Sequence, residues 1–236
     1  MIAALFAAAL AGFAAAERKA LLQAQISRPI VVGPLVGWAL GDPLVGLYVG
    51  APLELIWIGA ANLGAALPPH DTAATAAIAA ATVAAGGGEI PGALAALSLV
   101  IFGPVAVIGR RLEGYGERAN ERLVARAALA LGEGMTRRAF RLHLRGLWRP
   151  FYATALLVLF AALIAGPLLG RLEPHLPAVV LAGLEIGWAL LWAVGGAAAV
   201  RAARLPKGLG LAAAGAAGAA ALWAAAWYFG WVEVLG

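Results

Sequence analysis

The sequence predicts an all-α integral membrane protein, a multi-span helical bundle with broken and re-entrant helices in the N-terminal half. Of its 236 residues, 63% are hydrophobic and 12% are charged, whereas soluble domains average roughly 45–50% apolar and 25% charged residues. The apolar runs cover most of the chain, and a globule of this length could not bury them all. Prolines and glycines recur within residues 29–109, and this predicts broken helices lined by protein or a watery cavity.

Charged residues divide the chain into three regions. Residues 1–109 are expected to form an N-terminal membrane region with the glycine- and proline-broken helices, residues 110–149 an arginine-rich cytoplasmic or interfacial connector, and residues 150–236 the C-terminal membrane helices. Ten of the 17 basic residues are arginines within residues 110–149, and such clusters mark cytoplasmic loops. With this connector inside, both chain ends are expected outside the cytoplasm.

Composition also argues against several functional classes. The net charge of +5 does not indicate a nucleic-acid partner, because membrane topology accounts for the arginine cluster. The chain has no cysteine and its three histidines lie far apart, so neither disulfides nor a metal site is expected. No nucleophile motif, phosphate-binding loop or catalytic dyad is recognised, and the sequence therefore predicts neither catalytic residues nor a cofactor.

The first membrane segment is expected at residues 1–16. Its small residues are like the end of a signal peptide, but Arg18 and Lys19 follow the apolar stretch and no positive charge precedes it. A secretory signal has the opposite order of charges. We therefore expect this segment to be retained.

Small residues dominate the block that follows. Gly33, Gly37 and Gly41 repeat at four-residue spacing, as do Gly46 and Gly50, and this spacing lets a second helix approach closely. The alanine-rich residues 71–87 contain few side chains that favour insertion into lipid. That segment is expected to be an internal or re-entrant helix, packed against its own chain or a partner subunit.

Two kinds of helix are expected in the second half. Residues 111–126 place acids and arginines at helical spacings, which predicts a solvated amphipathic helix, or alternatively a docking surface for cytoplasmic partner domains or anionic lipid headgroups. The apolar tail splits at charged points around Arg171 and around Arg201. It leaves three stretches that are each near the roughly 20 residues needed to cross a bilayer.

The most informative charge in the apolar block is Glu54. It has strongly apolar neighbours and no arginine or lysine within twenty positions, and a buried intramembrane acid is a functional candidate by default. Asn62 shares its helical face if the helix continues through Gly59. With Trp57 nearby, the acid and amide suit the hydroxyls and ring face of a sugar, although a hydrogen-bonded bridge between two helices is the structural alternative.

Other polar positions are ambiguous. Asp42 precedes a proline and is expected to cap the helix that starts there. Asp71 or Thr72 is expected to cap the alanine-rich helix, while His70 beside them could donate to a sugar hydroxyl. Glu185 is a further intramembrane acid for which the sequence offers neither partner nor role.

Residues 28–69, RPIVVGPLVGWALGDPLVGLYVGAPLELIWIGAANLGAALPP, resemble the IIC subunits of phosphotransferase-system permeases of the mannose/fructose/sorbose family. The matching motifs, in chain order, are Arg-Pro at the start, Leu-Val-Gly, Leu-Gly-Asp, Leu-Glu and then Ile-Gly-Ala. The strong match covers about forty residues, and a weaker similarity in the order of the blocks covers the rest.

The resemblance implies a multi-pass protein of the bacterial inner (cytoplasmic) membrane that imports a hexose-like sugar by alternating access. It implies a IID membrane subunit as partner, with phosphoryl transfer on IIA and IIB phosphocarrier domains, so that this chain is a transport subunit and not itself an enzyme. It also implies an assembly that is a trimer of IIC–IID pairs in the lipid bilayer.

Position by position, the resemblance assigns the sugar site to Gln25, Glu54 and Asn62, and we expect the pair His70 and Asp71 to contribute to it. The family usually has aspartate directly after the proline, whereas this chain has His70 there and Asp71 one place later. Two alternatives stay open, and the departure at His70 bears on the first. The chain could be a non-transporting membrane scaffold or regulator derived from the family, or an unrelated small solute transporter.

Overall fold

The computed structural model describes residues 1–20, 24–58, 70–86 and 92–202, together with positions 210 and 217. Within these residues it is helical, as the sequence predicts. Besides a 3-10 turn at Glu173–His175, the α-helices in chain order are α1 Ile2–Ala20, α2 Pro29–Leu40, α3 Pro43–Ile58, α4 Asp71–Ala85, α5 Gly92–Phe102, α6 Val105–Gly132, α7 Thr136–Leu172 and α8 Ala178–Ala202.

Long and short apolar helices are mixed in this bundle. Three stretches among the described residues are long and apolar enough to cross a membrane, namely Gly92–Gly132, Thr136–His175 and Ala178–Val200. The apolar helices α2, α3 and α4 have 12, 16 and 15 residues, about 18 to 24 Å at 1.5 Å per residue. These are shorter than the roughly 30 Å hydrocarbon layer, which confirms the predicted membrane bundle with broken helices.

Helices α2 and α3 form a tight antiparallel hairpin because glycines line their contact. Their turn contains Gly41 in the left-handed conformation (φ 105°), and Asp42 accepts a hydrogen bond from the Val45 N–H at 3.0 Å, the predicted cap. A Cβ added at Gly33 would lie 2.5 Å from the backbone oxygen of Gly46. The backbones therefore touch where the sequence repeats glycine every four residues.

The alanine-rich helix α4 occupies the centre of the bundle. Every residue from 72 to 82 is buried, and α4 packs on six neighbours, α1, α2, α3, α5, α6 and α7. Its small side chains permit this crowding, since each neighbouring backbone can approach closely. The expectation that this segment is shielded from lipid is confirmed.

The arginine-rich region takes the form of a helical hairpin. Helix α6 runs through its first part and α7 through its second, with a short tip in which Gly134 has a φ of 76°. Asn120 Nδ2 donates to the backbone oxygen of Gly146 at 3.3 Å and joins the two helices. Helices α6 and α7 run without interruption across residues 109 and 149. The division of the chain into three regions at these positions therefore stays a prediction. The part of the third region beyond residue 202 lies outside the described residues, apart from positions 210 and 217.

Candidate functional site

The helix ends that carry the predicted site converge at one end of the bundle. The last turn of α1, the segment before α2, the last turns of α3 and the first turn of α4 meet there. Two ion pairs and a set of hydrogen bonds join them. We call this group the polar cluster, and its members are Glu17, Arg18, Gln25, Ser27, Arg28, Glu54, Asp71 and Thr72.

The first ion pair of the polar cluster connects α2 to α3. Arg28, the residue before α2, contacts Glu54 Oε1 through its guanidinium. The Ile30 N–H donates weakly to Glu54 Oε2 at 3.4 Å. The Glu54 side chain is 10% exposed and that of Arg28 is 32% exposed, so the pair lies at the rim of the bundle. Local sequence could not reveal it, because the partners are 26 positions apart.

The second ion pair connects α1 to α4. Arg18 contacts Asp71 Oδ1, and the same oxygen accepts the Thr72 N–H at 2.9 Å. The Thr72 hydroxyl donates to the backbone oxygen of Ser27 at 2.9 Å. The start of α4 is therefore fixed both to α1 and to the segment that precedes α2.

Glu17 is a member of the polar cluster that sequence reasoning missed. It is fully buried, and its Oε2 accepts the Ser27 N–H at 3.4 Å. Its Oε1 has no hydrogen-bond partner among the described residues, although burial of an unsatisfied carboxylate oxygen is costly. The sequence signal available was an acid directly after the apolar stretch of residues 1–16.

Gln25 is exposed at the edge of the polar cluster. Its φ is 65°, a left-handed conformation that is uncommon for a residue with a side chain. Its backbone oxygen accepts the Arg28 N–H at 3.2 Å, which closes a turn. Gln25 and Arg28 thus belong to one turn, and the Arg28 side chain connects that turn to Glu54, whereas Asn62 lies outside the described residues.

His70 occupies a different environment from Asp71. Its Nδ1 accepts the Ala73 N–H at 3.1 Å, so His70, and neither Asp71 nor Thr72, caps α4. The prediction of the capping residue was wrong because a histidine ring with an unprotonated nitrogen can serve the same role. The ring packs on Gly109 of α6, and its Nε2 lies 3.5 Å from Thr154 Oγ1 of α7.

A cavity of about 1020 Å³ extends from His70 along the groove between α6 and α7. Its walls are mostly apolar, and they include Leu112, Leu123 and Leu157. Glu54 and Asp71 are not among its lining residues. Gln25, Glu54 and Asp71 therefore belong to the polar cluster, whereas the ring of His70 faces the α6–α7 groove.

Glu185 on α8 has a partner after all. Its Oε2 accepts the Ala93 N–H at 2.8 Å, which places a carboxylate at the start of α5. A Cβ added at Gly92 would lie 2.6 Å from Glu185 Oε1, so the close approach depends on glycine.

No group of three or more His, Cys, Asp or Glu side chains that could hold a metal occurs in the part of the chain that the structure describes.

Comparison with known proteins gives a consistent result. The family model described as the sorbose-specific IIC component of the PTS system matches residues 1–222. A solved structure titled "Structure of membrane protein" shares 24% identity and a TM-score of 0.73, over 100% of this chain and 96% of that chain. A chain of the mannose transporter ManYZ, solved in complex with microcin E492, shares 26% identity and a TM-score of 0.60, over 92% of this chain and 86% of that chain. A search of curated proteins found no significant match.

Proposed function

The chain belongs to the family of sorbose-specific IIC components of the phosphotransferase system, and from this premise we propose that it imports a hexose-like sugar by alternating access. The match over residues 1–222 is the observation that carries this proposal. The likeness to a chain of a mannose transporter supports it. Family membership also removes the alternative of an unrelated solute transporter.

We propose that the sugar binds beside the polar cluster. Among the described residues Glu54 Oε2 accepts a long hydrogen bond from the Ile30 N–H at 3.4 Å and no other, so it retains capacity to accept a hydrogen bond from a sugar hydroxyl. Arg28 is exposed enough to donate to a second hydroxyl without leaving the carboxylate. Gln25 at the edge and Asn62 after α3 are proposed to complete the contacts with amide groups that both donate and accept.

His70 and Asp71 are proposed to act in the same site mainly by positioning. Asp71 holds Arg18, and His70 caps α4, so together they fix the helix start that borders Ser27. A change at either residue would shift the segment that carries Gln25 and Arg28. This assignment explains how a histidine can stand where the family usually has aspartate.

The partners follow from the family. We propose that the chain pairs with a IID membrane subunit in the bacterial cytoplasmic membrane, as a trimer of IIC–IID pairs, and that IIA and IIB domains phosphorylate the sugar. The exposed apolar surface of α8, which includes Val179, Ile186 and Leu190, is compatible with contacts to lipid or to such a subunit.

Sugar uptake in cells tests the site. Glu54→Gln removes the charge beside Arg28 and is expected to reduce uptake at least tenfold, a loss of about 1.4 kcal/mol or more in binding. Glu121→Gln on the exposed part of α6 is the matched control and should leave uptake unchanged. Membrane levels and copurification of partner subunits are measured for both. Normal uptake by Glu54→Gln at matched levels would refute the sugar site.

A second candidate function is a scaffold or regulator that no longer transports. One observation favours it. The carboxylates of Glu54 and Asp71 each already form an ion pair with an arginine, which leaves them less able to bind a sugar. A scaffold would copurify with its membrane partners yet bind no sugar. Sugar binding by the purified complex therefore distinguishes the two functions.

A further inference from the structure

Four arginines surround a second, smaller cavity in the hairpin of α6 and α7. Its volume is about 410 Å³, and its lining residues are Arg126, Arg138, Arg141, Leu142 and Arg145. Arg126 comes from α6 and the others from the first turns of α7. We call this the arginine cavity. It lies apart from the polar cluster and is not used by the proposed sugar site.

The arginine cavity contains no compensating negative charge. None of its lining residues is acidic, and no ion pair among the described residues links any of the four arginines to a carboxylate. The surrounding residues 110–149 hold ten arginines and four glutamates, a net charge of +6 with His143 neutral. Four like charges around one cavity repel each other, so the arrangement favours an anion that lies between them.

Exposed apolar side chains border the arginines along the same hairpin. Phe140, Leu144 and Trp148 follow each other at four-residue spacing on α7, and Phe140 is 61% exposed. On α6, Leu129 is 69% exposed and Leu131 is 57% exposed. A helix with arginines beside exposed aromatic and aliphatic residues is typical of segments that lie in a membrane interface.

Aromatic residues indicate where the hairpin meets the membrane surface. Trp148, Phe151 and Tyr152 form an aromatic cluster with ring centroids 5.3 to 6.2 Å apart, and such rings are enriched at the headgroup level. Arg145 lies less than one helical turn from Trp148, and Arg141 lies two turns from it, about 10 Å along the axis. Long arginine side chains at these positions can reach lipid phosphates.

We propose that the arginine cavity binds the phosphate-bearing headgroup of an anionic membrane lipid, with the apolar stripe of the hairpin resting in the membrane interface. The guanidinium groups donate paired hydrogen bonds to phosphate oxygens, and Arg is suited to this geometry. Trp148 contacts the acyl chains near the headgroups, and Leu144 and Phe140, about 6 and 12 Å farther along the helix axis, lie against the headgroup region. The hairpin is thereby held against the membrane surface.

Binding of short-chain lipids to the full chain tests the proposal. The protein is purified in a mild uncharged detergent, with any membrane subunits that copurify, and titrated with dioctanoyl phosphatidylglycerol, dioctanoyl phosphatidylcholine or inorganic phosphate. Phosphatidylglycerol is expected to bind, and phosphatidylcholine is expected to bind far more weakly. Inorganic phosphate is not expected to compete at equal concentration, because it lacks the apolar contacts.

Charge-matched variants locate the site. Arg141→Gln with Arg145→Gln is expected to weaken phosphatidylglycerol binding about 30-fold, since each arginine near an anionic surface contributes roughly a fivefold gain. Arg122→Gln with Arg137→Gln removes the same charge from the same hairpin outside the cavity, and should have at most a small effect. Circular dichroism checks that both variants keep their helices.

Four results would overturn the proposal. Equal binding of phosphatidylcholine would show that the headgroup charge is not recognised. Equal loss in the two double variants would show a diffuse electrostatic effect without a defined cavity. Equally tight binding of inorganic phosphate, or loss of a copurifying protein with lipid binding unchanged, would assign the arginine cavity to a soluble anion or to a protein partner.

Discussion

Arg28 and Glu54 form an ion pair that closes the open end of the α2–α3 hairpin. Glycines bring the two helices together along their length, and the pair joins the first residue of the hairpin to its last turns. The Arg28 backbone N–H also donates to the Gln25 backbone oxygen, and Thr72 of α4 donates to Ser27 in the same segment. One interaction therefore connects the two helices of the hairpin and also belongs to the proposed sugar site.

A double-mutant series separates these two roles. Arg28→Leu alone leaves the buried Glu54 carboxylate without its partner, and we expect it to lower the free energy of unfolding by about 1–3 kcal/mol, the partial exposure of Arg28 reducing the cost. Adding Glu54→Leu removes the unpaired charge and should restore most of this stability. Thermal unfolding in detergent measures both.

Sugar uptake should not follow stability in that series. The double leucine variant is expected to be nearly as stable as the unmodified chain and still inactive, because the polar groups proposed to contact the sugar are gone. Uptake that recovered together with stability would assign the pair a purely structural role.

The glycine contacts between α2 and α3 give a second prediction. A Cβ at Gly46 would collide with the backbone oxygen of Gly33, so Gly46→Ala should separate the helices and destabilise the chain by about 1–3 kcal/mol, as overpacking usually does. Gly114→Ala on α6 is the control, since nothing lies within 4 Å of its added Cβ. That change should stabilise by about 0.5–1 kcal/mol through helix propensity. Thermal unfolding midpoints that shift in the same direction for both would contradict the close contact.

Features encoded within a few residues were predictable from the sequence. The cap by Asp42 reaches a backbone N–H only three positions later, and the glycine spacing and the alanine run each describe one helix and what it can pack against. The membrane bundle follows from these features, because the composition leaves the chain no soluble alternative.

Contacts between distant elements were not predictable. Glu54 meets Arg28 from 26 positions away, and Glu185 meets the start of α5 from 92 positions away. Both depend on how the helices are arranged, which no local pattern records. The His70 cap was missed for a different reason, since residue preferences at helix starts favour aspartate or threonine, and only the geometry shows which side chain reaches Ala73.

The cap on α4 leads to a third prediction. His70→Asn keeps a side-chain acceptor for the Ala73 N–H and should retain most of the stability, whereas His70→Ala should lose about 0.5–2 kcal/mol. If His70 acts by positioning, His70→Asn also retains most of the sugar uptake. Uptake abolished in His70→Asn, with the unfolding midpoint unchanged, would instead make the histidine ring a direct ligand. The two measurements are made on the same preparations.

Glu185 gives the last prediction. The first backbone N–H groups of an apolar helix need hydrogen-bond acceptors, and a carboxylate supplies them where lipid tails cannot. Glu185→Gln keeps an acceptor oxygen for the Ala93 N–H, while Glu185→Ala removes it and should cost about 1–2 kcal/mol. Hydrogen exchange of the Ala93 amide is the direct measurement. It should speed up in the alanine variant and remain slow in the glutamine variant. Exchange that is equally slow in both would mean that other groups hold the start of α5, and that Glu185 is available for another partner along α8.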